Sequence, residues 1–260
     1  MELLDLKGKK GLVVGIANEE SLATWAAKHF HGAGAELAVT YFNDKAKSFV
    51  EPIAGQVEAS LFLPCNVSQP GQLEAVFDAI RDRWGKLDFI FHSIASARKD
   101  EIHGRLMDCS AEGFSEAMIV SCHSLIRMAK LAEPLMTSGG SITTLTYLGA
   151  EKVVEHYNVM GPVKAALEAS VRYLAHEMGK QGVRVNAISA GPVKTRAASG
   201  LMHFDELLDE AARKSPQRRL IDACEVGKTA LLLASDYASA ITGEIVHVDG
   251  GFHIEGMVFH

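Results

Sequence analysis

A doubly wound α/β fold, about seven parallel strands with helices on both faces, is what this sequence predicts, on three observations. Short β-rich runs alternate with helical patterns along nearly all of the 260 residues. The runs carry apolar residues on both faces, as strands covered on each side require, and Gly or Pro stands at several boundaries between them. The first run covers 11–16 (GLVVGI) and the second 35–41 (AELAVTY), followed by 59–65, 87–94, 140–146, 183–189 and 243–248. Helical periodicity is expected at about 21–33, 44–57, 69–84, 111–135, 161–180 and 223–234. The alternation breaks at 195–220, where a helical insertion precedes the last unit. No repeat, low-complexity tract or Pro/Gly/Ser-rich linker divides the chain, so 1–260 reads as one domain.

Composition narrows the function. Apolar residues make up 48% and charged residues 22%, the balance of a globular chain. A net charge of −6 without any basic block gives no support to nucleic-acid binding. The four cysteines, Cys65, Cys109, Cys122 and Cys224, are scattered and form no CxxC pair, which argues against a metal site or a disulfide framework. The first ten residues lack the apolar core of a signal peptide, and no run reaches the ~18 apolar residues of a membrane span. A cytoplasmic protein with no membrane association is expected.

In a doubly wound sheet, ligands bind outside the carboxyl ends of the strands, where strand order reverses. Each strand end is therefore a candidate wall. Gly15 ends the first run and Ser21-Leu22 opens the first helix, where backbone N–H groups would meet a pyrophosphate and the Ser21 hydroxyl could donate to it. The stretch is not GxGxxG, and a plain strand-to-helix turn fits it as well. Asn66-Val67, after the third run, could address an adenine amino group or cap the turn. Ser93, Ile94 and Ala95 stand at the end of the fourth run and are mostly small enough to let a flat ring approach the backbone. After the sixth run, Ala190, Pro192 and Val193 allow close packing, and Thr195 can donate to a carboxamide or a phosphate.

The chemistry is expected between Tyr147 and Lys164. On a continuous helix Tyr157 and Lys164 would share a face, roughly 10 Å apart along the axis, within reach of one ligand. A phenol has an ordinary pKa of ~10, and a nearby ammonium favours its ionised form, so a developing oxyanion could take a hydrogen bond there. An amphipathic helix with one Tyr and one Lys would show the same pattern. Pro162, which lacks an N–H, sets regular helix to begin near Gly161 and leaves Tyr157 on an irregular lead-in turn.

Together these stretches resemble the short-chain dehydrogenase/reductase superfamily, and within it the bacterial NADH-dependent enoyl-acyl-carrier-protein reductases. The resemblance spans nearly the whole chain: Gly15 with Ser21, HSIA at 92–95, TLTYLGAE at 144–151, YNVMG at 157–161 with Lys164, VRVNAISAGPVKT at 183–195 and VHVDGGF at 246–252. Superfamily members acting on alcohols and ketones carry Tyr-x3-Lys and an upstream Ser. The enoyl reductases carry Tyr-x6-Lys and a second upstream Tyr, which is the pattern of Tyr147, Tyr157 and Lys164. Thr144 stands where the Ser would fall. The chain departs from the family at Asn66, where Asp is usual, at Ala95, often Gly, at Pro162, and in the loop 96–100.

The resemblance implies a single dinucleotide-binding reductase domain that reduces the trans-2 double bond of an enoyl thioester on acyl carrier protein, with NADH as hydride donor. Tyr147, Tyr157 and Lys164 would be catalytic. Tyr157 would hydrogen-bond the carbonyl as it becomes an enolate, Lys164 would hold the nicotinamide ribose, and Tyr147 would shape the pocket. Gly15, Ser21, Leu22, Asn66, Val67, Ser93, Ile94, Ala95, Ala190, Pro192, Val193 and Thr195 would surround NADH. Ala97, Met160, Ala197, Ala198, Leu201 and Phe204, with both tyrosines, would line the acyl pocket beneath a lid formed by the insertion. No metal is implied, and a homotetramer is. Two other readings stand beside this one: an ordinary oxidoreductase acting on a carbonyl or alcohol, against which the Tyr-x6-Lys spacing argues, and a non-catalytic NAD(P)-binding regulatory protein, against which retention of Tyr157 and Lys164 argues.

Two further expectations concern partners. Thr40 to Asp44, after the second run, offers no Arg or Lys for a 2′-phosphate before Lys45, which favours NADH over NADPH. The lid helix carries Asp205, Glu206 and Asp209 opposite a Leu201/Phe204/Leu208 stripe, so its outer face would repel an acidic carrier. Carrier docking is expected instead at Arg98, Lys99 and Arg105, joined by Lys194 and Arg196.

Overall fold

The computed structural model describes residues 4–102, 104–193 and 204–256, and the Phe204 side chain also lies outside the description. Its centre is one seven-stranded sheet in the order β3-β2-β1-β4-β5-β6-β7, every pair parallel. The strands are β1 (Lys10–Val14), β2 (Glu36–Tyr41), β3 (Leu61–Pro64), β4 (Phe89–His92), β5 (Gly140–Thr146), β6 (Val183–Ala190) and β7 (Ile245–Val248). The helices are α1 (Leu22–Gly32), α2 (Asp44–Gln56), α3 (Gln72–Trp84), α4 (Lys99–Ile102), α5 (Ala111–Met118), α6 (Ser124–Ala132), α7 (Met160–Met178), α8 (Phe204–Lys214) and α9 (Ala223–Ala234).

Side chains alternate across each strand, so a central strand needs apolar residues toward both faces. Leu12 and Val14 of β1 join Ile90, Ile142 and Val185 on one face, under Phe77, Leu125, Leu167 and Val171 from α3, α6 and α7. Val13 turns to the other face with Val39, Phe89, Phe91 and Ile188, under Phe30, Ile53 and Val226 from α1, α2 and α9. Phe30 packs on Phe89 at a ring separation of 4.7 Å, and Gly11 leaves room for the Phe89 ring, which a Cβ at that position would meet at 2.0 Å. Burial of each such side chain contributes about 1.5–3 kcal/mol.

Three features depart from what the sequence predicts. β3 and β7 are partly exposed, because they are the sheet's two edges and lack a neighbour on one side. The helix expected across 111–135 is divided: α5 and α6 are joined by a π turn at Ile119–His123, and a 3-10 turn (Glu133–Leu135) follows α6. Finally, α7 begins at Met160 with Pro162 in its first turn, so Tyr157 and Lys164 do not share a continuous helix. The lead-in turn is the outcome that Pro162 favours.

Candidate active site

Between β1 and β4 the chain direction of connection reverses, and the ends of these strands nearly touch. Ser93 N–H donates to Val14 O at 3.0 Å, and a Cβ on Gly15 would sit 1.9 Å from Ser93 O. Gly15 also has φ +99°, so this position requires glycine on two grounds. The α1 N-terminus opens beside it with no acidic residue in its first turn; Thr24 and Trp25 donate to Ser21 O, which leaves the N–H groups of Leu22 and Ala23 to face an anion. The Ser21 hydroxyl is used differently from the phosphate contact expected of it. It accepts from the N–H groups of Ala17 (3.1 Å) and Asn18 (3.0 Å) and donates to Asn18 Oδ1 (3.0 Å), which shapes the loop.

The other dinucleotide candidates lie along the same edge. Asn66 takes the turn-capping role, its Oδ1 accepting from Ser68 N–H at 3.0 Å. Val67 is buried, and its carbonyl accepts from Arg127 at 2.8 Å. Ser93 and Ile94 are partly buried and Ala95 exposed, on a strap continued by Ser96, whose N–H and carbonyl both bond Ser121 Oγ (2.9 and 3.1 Å). The π turn presents Ser121 to this strap, which gives the irregularity a local purpose. Ala190 and Pro192 are buried and Val193 partly so beside the end of β7, while Thr195 lies outside the described residues.

Tyr147 and Tyr157 come together, and Lys164 is anchored to Leu145, two residues before Tyr147. The two phenol rings meet edge to face, with centroids 5.0 Å apart and planes at 65°. Gly149 makes this possible, since a Cβ there would lie 2.4 Å from the Tyr157 ring. Tyr157 sits between His156 (φ +63°) and Asn158 (φ +42°), two non-glycine residues in the left-handed region. Asn158 is held there by Nδ2 bonds to the carbonyls of Glu101 (3.1 Å) and Gly104 (3.4 Å). Lys164 is buried, its ammonium donating to Leu145 O at 2.7 Å.

The electrostatics reverse one expectation. Desolvation, then the proximity of Tyr147 and Glu168, pushes the Tyr157 phenol well above its ordinary value, so Lys164 does not draw it toward phenolate. Tyr157 is a protonated donor. Burial likewise pushes Tyr147 up to about 12 and pulls Lys164 down to about 8, with Glu168 and Cys122 opposing the fall at Lys164. The Tyr147 hydroxyl is buried without a hydrogen-bond partner, a polar atom that a bound ligand would satisfy.

Beside the tyrosines, Ala97 and Tyr157 pack on Met160 with Ala117, Val159 and Val163, so three of the expected acyl-pocket residues share one apolar wall. Ala197, Ala198, Leu201 and the Phe204 side chain lie outside the described residues. Leu208 and Ala211 form the buried face of α8, and Asp205, Glu206 and Asp209 are exposed. Sequence reasoning missed Glu101, buried and bonded by Ser110 N–H at 2.9 Å, which anchors α4 to the start of α5. It also missed Asn158, inside the YNVMG stretch, and Glu168. Arg98 is not the free cation expected for docking, since Asp100 holds its guanidinium at 2.6 and 3.1 Å. Lys99 and Arg105 are exposed, while Lys194 and Arg196 lie outside the described residues.

A family model described as enoyl-(acyl carrier protein) reductase matches residues 15–253. An NADH-dependent enoyl-acyl-carrier-protein reductase of Nostoc is 48% identical over 258 residues, covering 98% of this chain and all of that protein. A crystal structure of the Anaplasma phagocytophilum enoyl-acyl-carrier-protein reductase in complex with NAD superposes with a TM-score of 0.93 at 49% identity, covering 97% of this chain and 96% of that one. The Bacillus cereus enoyl-acyl-carrier-protein reductase, crystallised with NADP+ and an indole naphthyridinone, gives 0.95 at 46% identity, covering 99% and 100%.

Proposed function

This chain belongs to the enoyl-(acyl carrier protein) reductase family, and from that membership we propose that it reduces the trans-2 double bond of an enoyl thioester on acyl carrier protein, in fatty acid synthesis, with NADH. The observation that carries the reading is the Tyr147–Tyr157 contact together with a buried Lys164 bonded to Leu145, two residues before Tyr147. The residues fit a dinucleotide: strand order reverses beside an open α1 N-terminus, small residues floor the strand ends, and the Tyr147 hydroxyl lacks a partner. Gly15, Leu22, Val67, Ser93, Ile94, Ala95, Ala190, Pro192, Val193, Thr195 and Lys164 would hold NADH, which when bound supplies the hydride.

Tyr157 donates its hydrogen bond to the thioester oxygen as negative charge develops there. Its raised pKa keeps the proton on the phenol through the resting state. Lys164, tethered to Leu145 O, keeps further N–H donors that would hold the cofactor ribose. The Ala97/Met160 wall receives the acyl chain and excludes water. Ser21 acts by shaping the loop that presents the α1 N–H groups.

The assembly is a homotetramer in the cytoplasm. Phe114, Ile119 and Ile126 are exposed along α5, the π turn and α6, an apolar surface that supports self-association. Among the described residues no helix is long and apolar enough to cross a membrane. Sedimentation at several protein concentrations tests the tetramer, and a monomer throughout would refute it. The site assignment is tested by two variants. Lys164→Ala is expected to raise the NADH Kd, whereas Tyr157→Phe is expected to lower kcat by about 10²–10³-fold with NADH binding retained. The reverse pattern would overturn the roles.

A further inference from the structure

Glu168 is a buried carboxylate that this mechanism does not use. It lies one turn beyond Lys164 on the inward face of α7, 6% exposed where Lys164 is 5% exposed. Two consecutive residues of β5 receive the pair: Leu145 O accepts from Lys164 Nζ at 2.7 Å, and Thr146 Oγ1 donates to Glu168 Oε1 at 2.6 Å. The next residue in the chain is Tyr147. A carboxylate taken out of water beside an ammonium is costly unless both are compensated, and each here has a hydrogen bond and an opposite charge.

We propose that Glu168 is a positioning residue of the active site, supplying the counter-charge that keeps Lys164 an ammonium while bracing the end of β5 that carries Tyr147. The inference rests on the reductase reading for its functional meaning, while the placement of the two buried groups, four apart on α7 and bonded to consecutive residues of β5, is independent of it. The groups that bear on Lys164 are Glu168 from its own helix, Cys122 from the π turn and His92 from the end of β4. Glu168 in turn feels Glu151, Arg172 and Lys164, and its charge also reaches Tyr157. Burial raises the Glu168 carboxyl, while Thr146, Arg172 and Lys164 draw it back toward the carboxylate. Among these groups, Glu168 opposes most strongly the desolvation that lowers Lys164.

The direct test is the titration of Lys164 in the cofactor-free protein, followed by NMR of lysine labelled at Cε. The resonance is assigned by its loss in Lys164→Arg. The wild-type midpoint is expected near 8. Glu168→Gln keeps the size and the Thr146 hydrogen bond but removes the charge, and is expected to lower the midpoint by about one pH unit. Glu168→Met fills the site without an amide to satisfy and serves if the Gln variant does not fold. Thr146→Val removes the brace and keeps the charge, so the midpoint stays near the wild-type position. The pH at which NADH binding weakens is expected to follow the same order. An unchanged midpoint in both charge-removing variants would overturn the proposal, as would an equal fall in Thr146→Val, which would make Glu168 a brace only. Failure of the wild-type protein to turn over an enoyl thioester would refute the reductase reading and leave this titration intact.

Discussion

At the scale of single residues, burial decides the chemistry more than sequence spacing does. His92 is wholly buried at the end of β4, with Nδ1 2.8 Å from Thr144 Oγ1 and Nε2 2.8 Å from Ser124 Oγ. Desolvation, and then the Lys164 charge, pull its pKa from 6.5 to about 3. Between those values the unfolded chain binds a proton that the folded protein does not, so this group's contribution is full above 6.5 and is lost as pH falls toward 3. Denaturant unfolding across that range should show a slope of up to ~1.4 kcal/mol per pH unit from His92, and His92→Asn should flatten it. An unaltered slope would show that the acid sensitivity lies elsewhere. The Tyr157/Lys164 pair was legible in the sequence because its spacing is distinctive. Glu168 was not: Lys and Glu four apart on a helix read as a solvent-facing ion pair, and only the docking of α7 on β5 shows that both are buried.

At the scale of elements, the apolar runs and helical periodicities located nearly every strand and helix, because burial on both faces of a parallel sheet leaves a continuous signature. The π turn at Ile119–His123 was not legible, since its contact, Ser121 with Ser96, joins segments distant in sequence. The turn before α7 was legible through Pro162, though its fit depends on Gly149. Gly149→Ala would put a Cβ 2.4 Å from the Tyr157 ring and displace it. We expect kcat to fall at least tenfold with a modest change in Tm, and a fully active Gly149→Ala would show that the ring position is not critical. The end of β2 bears on cofactor choice. Phe42 is exposed there, Asn43 is occupied in capping α2 through Ala46 N–H, and Lys47 lies 5.8 Å from the Tyr41 ring. No arginine fork faces a 2′-phosphate among Thr40 to Asp44, so kcat/KM with NADH should exceed that with NADPH about tenfold or more. Equal values would contradict this.

At the scale of the whole molecule, the distribution of surface charge bears on how a carrier-linked substrate is presented. The exposed carboxylates of α8 face solvent at the insertion, so an acidic carrier is expected to dock near Lys99 and Arg105. Because Asp100 already holds Arg98, reversing Lys99 and Arg105 together should raise KM for a carrier-linked substrate, steeply with falling salt, and leave an N-acetylcysteamine thioester little affected. Equal losses on both would place these residues in the pocket instead. The family's reaction is tested most directly by following NADH oxidation by the wild-type protein with crotonyl and acetoacetyl thioesters in parallel. Turnover of the crotonyl thioester alone is the expected result; turnover of the acetoacetyl thioester alone, or of neither, would contradict the account.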